Sequence, residues 1–464
     1  LEDSMTFFIR SIPFFIAIPI TSTFDSLNIW RVLSGLIFLK WTWHNRPNLT
    51  GYLKTPLAKI LLAILLLAIL SAISAPSHIL AIKRILYFIN LSLIGIVLYD
   101  LIVRNQDFSQ RVIKNIAIPT IIVALIGIVQ QISTYYLDIF QFVDFWGGIA
   151  ERNLFGNAWA ETAIKANTWF AYFGDQLSLR MFSIFPDSHS FPIFLLLGLP
   201  TILAIALRKV IEKGGTLKTM FKTRASVLVI FVPIIFLAAI LSGTRGIWVA
   251  SIGAVLVSLA LICWHHKMNL DSSHRNIFKY ISSYLVIFFL LFGLAYYIFA
   301  SNQFQMSKND SAIFGKRVRS VLDISETSNA RRIEIWKASL QSIIKHPLLG
   351  VGIGNFPVVV GEDLAKAKAG SSAHNLYLNI AAELGIPALI LALWFLWLLF
   401  KKIYTNFLKT RNSKLETVYY GSAIIYIPWV LIYSLTDVAI FDERAFLLFV
   451  ITAALIFGQK ENGQ

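Results

Sequence analysis

Long apolar stretches, separated by short polar connectors, dominate the chain. Residues 58 to 75, AKILLAILLLAILSAISA, carry one charge at their edge. They have the length of about 18 residues that crosses a ~30 Å hydrocarbon core as a helix. Twelve such stretches are predicted, at 6–22, 27–43, 57–75, 80–101, 113–134, 189–207, 225–242, 246–264, 279–300, 376–400, 417–435 and 444–458. No region shows the alternating pattern of an outer-membrane barrel, which leaves an all-α polytopic bundle as the spanning architecture. Residues 1–300 read as a first membrane part of about nine spans with an outward segment at 135–188; residues 301–375 as a large outer loop with amphipathic helices; residues 376–464 as a second part of about three spans. Nothing ahead of the first stretch has the form of a cleavable signal peptide, and Leu1 to Ser4 ahead of Met5 read as an added leader.

Composition excludes a soluble globule. Of 464 residues 57% are hydrophobic and 14% charged, with a mean hydropathy of +0.69. A single cysteine, Cys263, excludes a disulfide framework and a cysteine metal cluster. The net charge of +16, from 41 Lys and Arg against 25 Asp and Glu, falls largely in alternate connectors: around Lys40 to Lys59, Arg104 to Lys114, Arg208 to Arg224, Lys267 to Lys279 and Lys401 to Lys414. Short basic loops set orientation, so both termini are expected in the cytoplasm and the charge needs no nucleic acid to explain it.

Orientation leaves some cations unexplained. Lys83, Arg84, Arg152, Lys165, Arg180, Arg245 and ten Lys or Arg of the 301–375 loop remain on the outward side, against six acidic residues in that loop. Arg84 and Arg245 lie just inside span ends, where an ionisable side chain is costly without a partner. An anionic ligand at the outer interface would be one such partner; lipid headgroups or neighbouring carboxylates would be others. Within the loop, Ala330 to Lys345 repeats Ile333, Trp336, Leu340 and Ile343 at helical spacing with Asn329 available as cap. Pro347 and the glycines at 350, 352 and 354 then break the helix and offer backbone that a ligand could approach closely. No P-loop and no dinucleotide fingerprint accompanies those glycines.

Among the outward histidines His78, His189, His346 and His374, the last stands out. It sits where the polar loop turns into a span, at the membrane surface, and could accept a hydroxyl proton near neutral pH. His189, behind Asp187 and Ser188, reads as part of an ordinary helix start. No histidine and carboxylate spacing suits a metal, and no G-x-S-x-G suggests a serine nucleophile. The aromatics between Tyr135 and Phe173 read as interfacial anchors, with sugar stacking the alternative.

Three segments together resemble the bacterial O-antigen ligase and O-antigen polymerase family, lipid-linked glycan transferases of the outer face of the inner membrane. They are Ser242-Gly-Thr-Arg245-Gly-Ile-Trp; Arg332-Ile-Glu-Ile-Trp336 followed by His346-Pro-Leu-Leu-Gly-Val-Gly-Ile-Gly-Asn355-Phe; and Ala373-His374-Asn375-Leu-Tyr377-Leu followed by Glu383-Leu-Gly-Ile-Pro387. The resemblance implies a C-type glycosyltransferase fold, an inner-membrane location with the site facing the periplasm, and an undecaprenyl-pyrophosphate glycan as donor. The acceptor it implies is lipid A core or a growing glycan. His374, Arg245 and Arg180 would be catalytic, the arginines standing in for a metal on the leaving pyrophosphate and His374 activating the acceptor hydroxyl. Lys83, Arg84, Arg331, Arg332, Asn375 and Tyr377 would bind substrate, with no metal and no cofactor. Arg331 stands where the family pattern usually has glycine, so either Arg331 or Arg332 could take the family role. The His-Asn segment resembles the ligase branch most, with polymerases and protein O-oligosaccharyltransferases close to it. A transporter or flippase would instead place ionisable residues deep in the spans and show paired repeats.

Overall fold

A computed structural model of the chain describes residues 1–18, 27–45, 49–166, 168–173, 176–212, 226–267, 272–305, 327–362, 371–410 and 414–460. The basic connector holding Lys213, Lys218, Lys222 and Arg224, and the loop carboxylates Asp310, Asp323, Glu326 and Asp363, lie outside the described residues. The bundle consists of α1 (Glu2–Ser11), α2 (Ile29–Asn45), α3 (Pro56–Ile73), α4 (His78–Arg104), α5 (Phe108–Ser133), α6 (Ser190–Glu212), α7 (Ser226–Leu241), α8 (Arg245–Lys267), α9 (Ser272–Ala300), α10 (Thr327–Lys345), α11 (Leu376–Lys409), α12 (Lys414–Tyr433) and α13 (Glu443–Phe457). Eight of these helices, α3 to α6, α8, α9, α11 and α12, are long and apolar enough to cross a membrane. The predicted spans at 27–43, 225–242 and 444–458 form the shorter α2, α7 and α13.

The predicted span at 6–22 is not one helix. α1 ends at Ser11, a 3-10 turn covers Ile12–Phe14, and the chain continues as β1 (Ala17–Ile18), paired with β2 (Leu27–Asn28). Pro13 explains the break, because it cannot donate to the helical ladder and disfavours helix in the residue before it. Non-helical backbone at membrane depth needs internal partners. Arg444, fully buried, supplies them: its Nε donates to the Pro13 carbonyl at 3.3 Å and its Nη2 to the Phe15 carbonyl at 2.9 Å. Glu443 neutralises it at 3.1 Å and in turn accepts from Asn28 and from the Trp30 indole. Glu2 and Asp3, near the start of the chain, take part as well, both pairing with Arg111.

α6 and α12 form the most extensive helix pairing and are the most enclosed of the eight spans, so they make the centre of the bundle. The segment 135–188 folds outside it, around an aromatic core. Phe142, Trp146, Trp169, Phe170, Phe182 and Phe304 are buried together, with Trp169 stacked on Phe182 at 4.5 Å. These aromatics are thus core rather than anchors, while Tyr136 and Phe140 stay exposed. An antiparallel hairpin of β3 (Phe170–Phe173) and β4 (Gln176–Leu179) closes this subdomain.

The glycine segment after Pro347 has a packing role. α11 is broken at Gly385, whose φ of +85° favours glycine, and the freed carbonyls of Ala382 and Glu383 accept from the amides of Val351 and Gly352. A Cβ at Gly352 would overlap Ala75, and one at Gly350 would overlap the Ala382 and Glu383 backbone. The close approach expected of a ligand is therefore made by other parts of the chain. α10 starts at Thr327 and buries Ser339 and Ile343, with Ile335 half-buried beside them and the Trp336 indole on the Ala373 carbonyl. Asn329 consequently lies inside its first turn rather than at its cap, and Leu340 faces outward.

Candidate functional site

Six elements end at one face of the bundle and bring distant residues together: β4, the starts of α6, α8 and α11, the end of α12, and α10. Arg180 follows β4 and extends its ladder by one bond, its amide donating to the Trp169 carbonyl at 2.7 Å. Its Nη1 donates to the Thr168 carbonyl at 3.3 Å, and its buried Nε has no hydrogen-bond partner among the described residues. Arg245 opens α8 after a turn in which Gly243 has φ +62° and the Thr244 hydroxyl donates to the Ser188 carbonyl at 2.7 Å. Gly246 lets α8 lie directly on Tyr433 and Thr436, since a Cβ there would overlap both. Arg180, Arg245 and Arg332 line one open cleft with His189, Tyr433 and Thr436. Arg332 therefore occupies the cleft, whereas Arg331 is exposed.

Beside the cleft, Asp437 is bonded to His189 and faces His374. Its Oδ1 accepts from the amides of Val438 and Ala439, and its Oδ2 lies 3.0 Å from His189 Nδ1 and 3.9 Å from His374 Nδ1. Burial pushes this carboxyl up, but His189 and, secondarily, His374 outweigh it and hold Asp437 well below the usual carboxylate range. Burial, with Arg245 adding to it, pushes the Arg180 guanidinium down to about 10, so it stays charged at neutral pH. Three guanidinium groups against the carboxylates of Asp437 and Asp187 leave the cleft electropositive, and guanidinium forks match phosphate oxygens bidentately.

His374 has φ +45°, a conformation unusual for a residue other than glycine, and its side chain is 41% exposed. Such backbone strain beside a cleft is a mark of functional sites. The next residues tie it down: the Leu376 amide donates to the Ser434 carbonyl at 2.8 Å, and Asn375 caps α11 by accepting from the amides of Tyr377 and Leu378. The Tyr377 hydroxyl is spent on the Leu431 carbonyl at 2.9 Å. Asn375 and Tyr377 thus serve the scaffold around His374. Arg84 does not line the cleft; its guanidinium stacks on Tyr87, Phe88 and Phe441, and its charge faces Glu383. Lys83 lies beside it, exposed. Among the described residues no three His, Cys, Asp or Glu side chains group as a metal site would require.

Residues 227–393 match the family described as O-antigen ligase. The matched stretch belongs to that family. It holds Arg245 and Arg332 of the cleft and His374 beside it, while Arg180, His189, Tyr433 and Asp437 come from outside it. No curated protein matches the chain. Asp437, Tyr433 and Thr436 were not singled out by sequence. The signal available was positional, since the predicted topology that puts His374 outside would also put the connector after the 417–435 span outside.

Proposed function

We propose that the cleft holds the pyrophosphate of an undecaprenyl-linked glycan and that the chain transfers the glycan to a hydroxyl acceptor at the outer face of the inner membrane. The acceptor favoured is lipid A core, in keeping with the ligase-like His-Asn segment. The observation that carries this reading is the convergence of Arg180, Arg245 and Arg332 on a cleft flanked by the His374 and Asp437 pair. The acceptor oxygen attacks the anomeric carbon as the bond from that carbon to the phosphate oxygen breaks, and undecaprenyl pyrophosphate leaves. His374 takes the hydroxyl proton, and Asp437 stabilises the imidazolium that forms. The arginines stabilise the charge developing on the leaving pyrophosphate, where preorganised donors act most strongly. Direct displacement inverts the anomeric centre.

The test is His374→Ala in the full chain. A general base contributes ~10² to 10⁴-fold in rate. The variant should keep its melting temperature and its affinity for the lipid pyrophosphate while transferring almost no glycan. Turnover above about a tenth of wild type is more than loss of a base allows and would overturn the assignment.

A further inference from the structure

His189 stands immediately before α6, where Asp187 fixes its backbone by accepting from its amide at 2.8 Å. Its ring touches both sides of the cleft. Nε2 lies 3.1 Å from Nη2 of Arg180, and Nδ1 lies 3.0 Å from Oδ2 of Asp437, with the Tyr433 hydroxyl at 3.1 Å. A guanidinium can only donate, so Nε2 must accept from Arg180, and the ring proton sits on Nδ1, where it is given to Asp437. In this tautomer Nε2 has no free lone pair with which to take a proton from a substrate. Arg180 is thereby held by His189 through Nη2 and by the Thr168 carbonyl through Nη1, with the second N–H of each Nη left for a ligand in the cleft that Arg180 lines.

We infer that His189 is a positioning residue for the leaving group: held by Asp437, it fixes the Arg180 guanidinium in the orientation that meets the pyrophosphate. This rests on reading the cleft as a pyrophosphate site. It also gives Asp437 two tasks, because the same Oδ2 faces His374 on the acceptor side and His189 on the donor side. Groups oriented by such supporting hydrogen bonds lose function when the support goes, even though the support touches no substrate.

Two amide substitutions separate the contacts. The side chain of glutamine reaches about as far as Nε2 and can accept from Arg180; that of asparagine reaches only as far as Nδ1 and can donate to Asp437 but not meet Arg180. The affinity of the purified full chain for inorganic pyrophosphate is measured by titration calorimetry, alongside KM and kcat for glycan transfer and the melting temperature. His189→Gln should bind close to wild type. His189→Asn should bind about tenfold more weakly, what losing a charge-assisted hydrogen bond costs, with KM raised more than kcat is lowered and melting unchanged in both. Wild-type affinity in His189→Asn, or equal losses in both variants with a shared fall in melting temperature, would overturn the inference and leave the pyrophosphate site standing. If wild type itself binds no pyrophosphate and Arg245→Ala transfers glycan as well as wild type, the reading of the cleft fails and takes this inference with it.

Discussion

The charge balance of the cleft is set residue by residue. Arg180 and Arg245 repel each other in a partly buried place, and burial already disfavours the charged form of Arg180, whose pKa falls to about 10. A cation with a depressed folded pKa costs stability wherever it is charged, which here includes neutral pH, and the cost fades as pH rises through that value. An anion that binds the folded state offsets it. Pyrophosphate should therefore raise the melting temperature at pH 7, and by clearly less above about pH 10; differential scanning fluorimetry in detergent reads both. An equal rise at the two pH values would show that Arg180 is not part of the anion site. At this scale the sequence was legible where chemistry is expensive. Arginines at span ends and a histidine at a loop-to-span junction stand out because an apolar surrounding penalises them. Asp437 and the second contact of His189 were not legible, because they depend on which helix ends meet, and 248 positions separate them. Asn375 and Tyr377 show the converse, polar residues next to the chemistry that hold the scaffold.

Hydropathy placed eleven of the predicted spans on helices, and the exception at 6–22 is informative. Apolar content alone cannot distinguish a continuous helix from a helix followed by extended backbone. Pro13 marked the break, but the residue that makes the break tolerable, Arg444, is more than four hundred positions away. Arg444→Met should leave the Pro13 and Phe15 carbonyls unpaired and Glu443 without its cation. Removing one partner of a buried pair costs about 3–5 kcal/mol, so a sharp fall in melting temperature or loss of folded protein is expected; unchanged melting would show that α1 and β1 do not need that anchor. The glycines at 350, 352 and 354 teach the same lesson. Their spacing correctly marked close approach, but what approaches is the broken backbone of α11 and the α3 to α4 corner.

For the molecule as a whole, the bundle gathers its cleft at one end, with segments from both outer regions meeting the ends of the two central helices. In the proposed reaction, separate pieces of chain would supply the two halves: arginines for the departing pyrophosphate, and a histidine with its carboxylate for the incoming hydroxyl. From sequence alone that proposed division is legible only in outline, since charge placement gives an expected side of the membrane, while the fold determines which cations share a cleft. The most direct measurement is a mass spectrum of the products formed when the purified chain is incubated, in excess EDTA, with undecaprenyl-pyrophosphate glycan and lipid A core. The account predicts acceptor carrying the glycan through an inverted linkage, formed by wild type and abolished in Arg245→Ala. No product in EDTA with recovery on adding Mg²⁺ or Mn²⁺, or no glycan transfer to any hydroxyl acceptor, would contradict it.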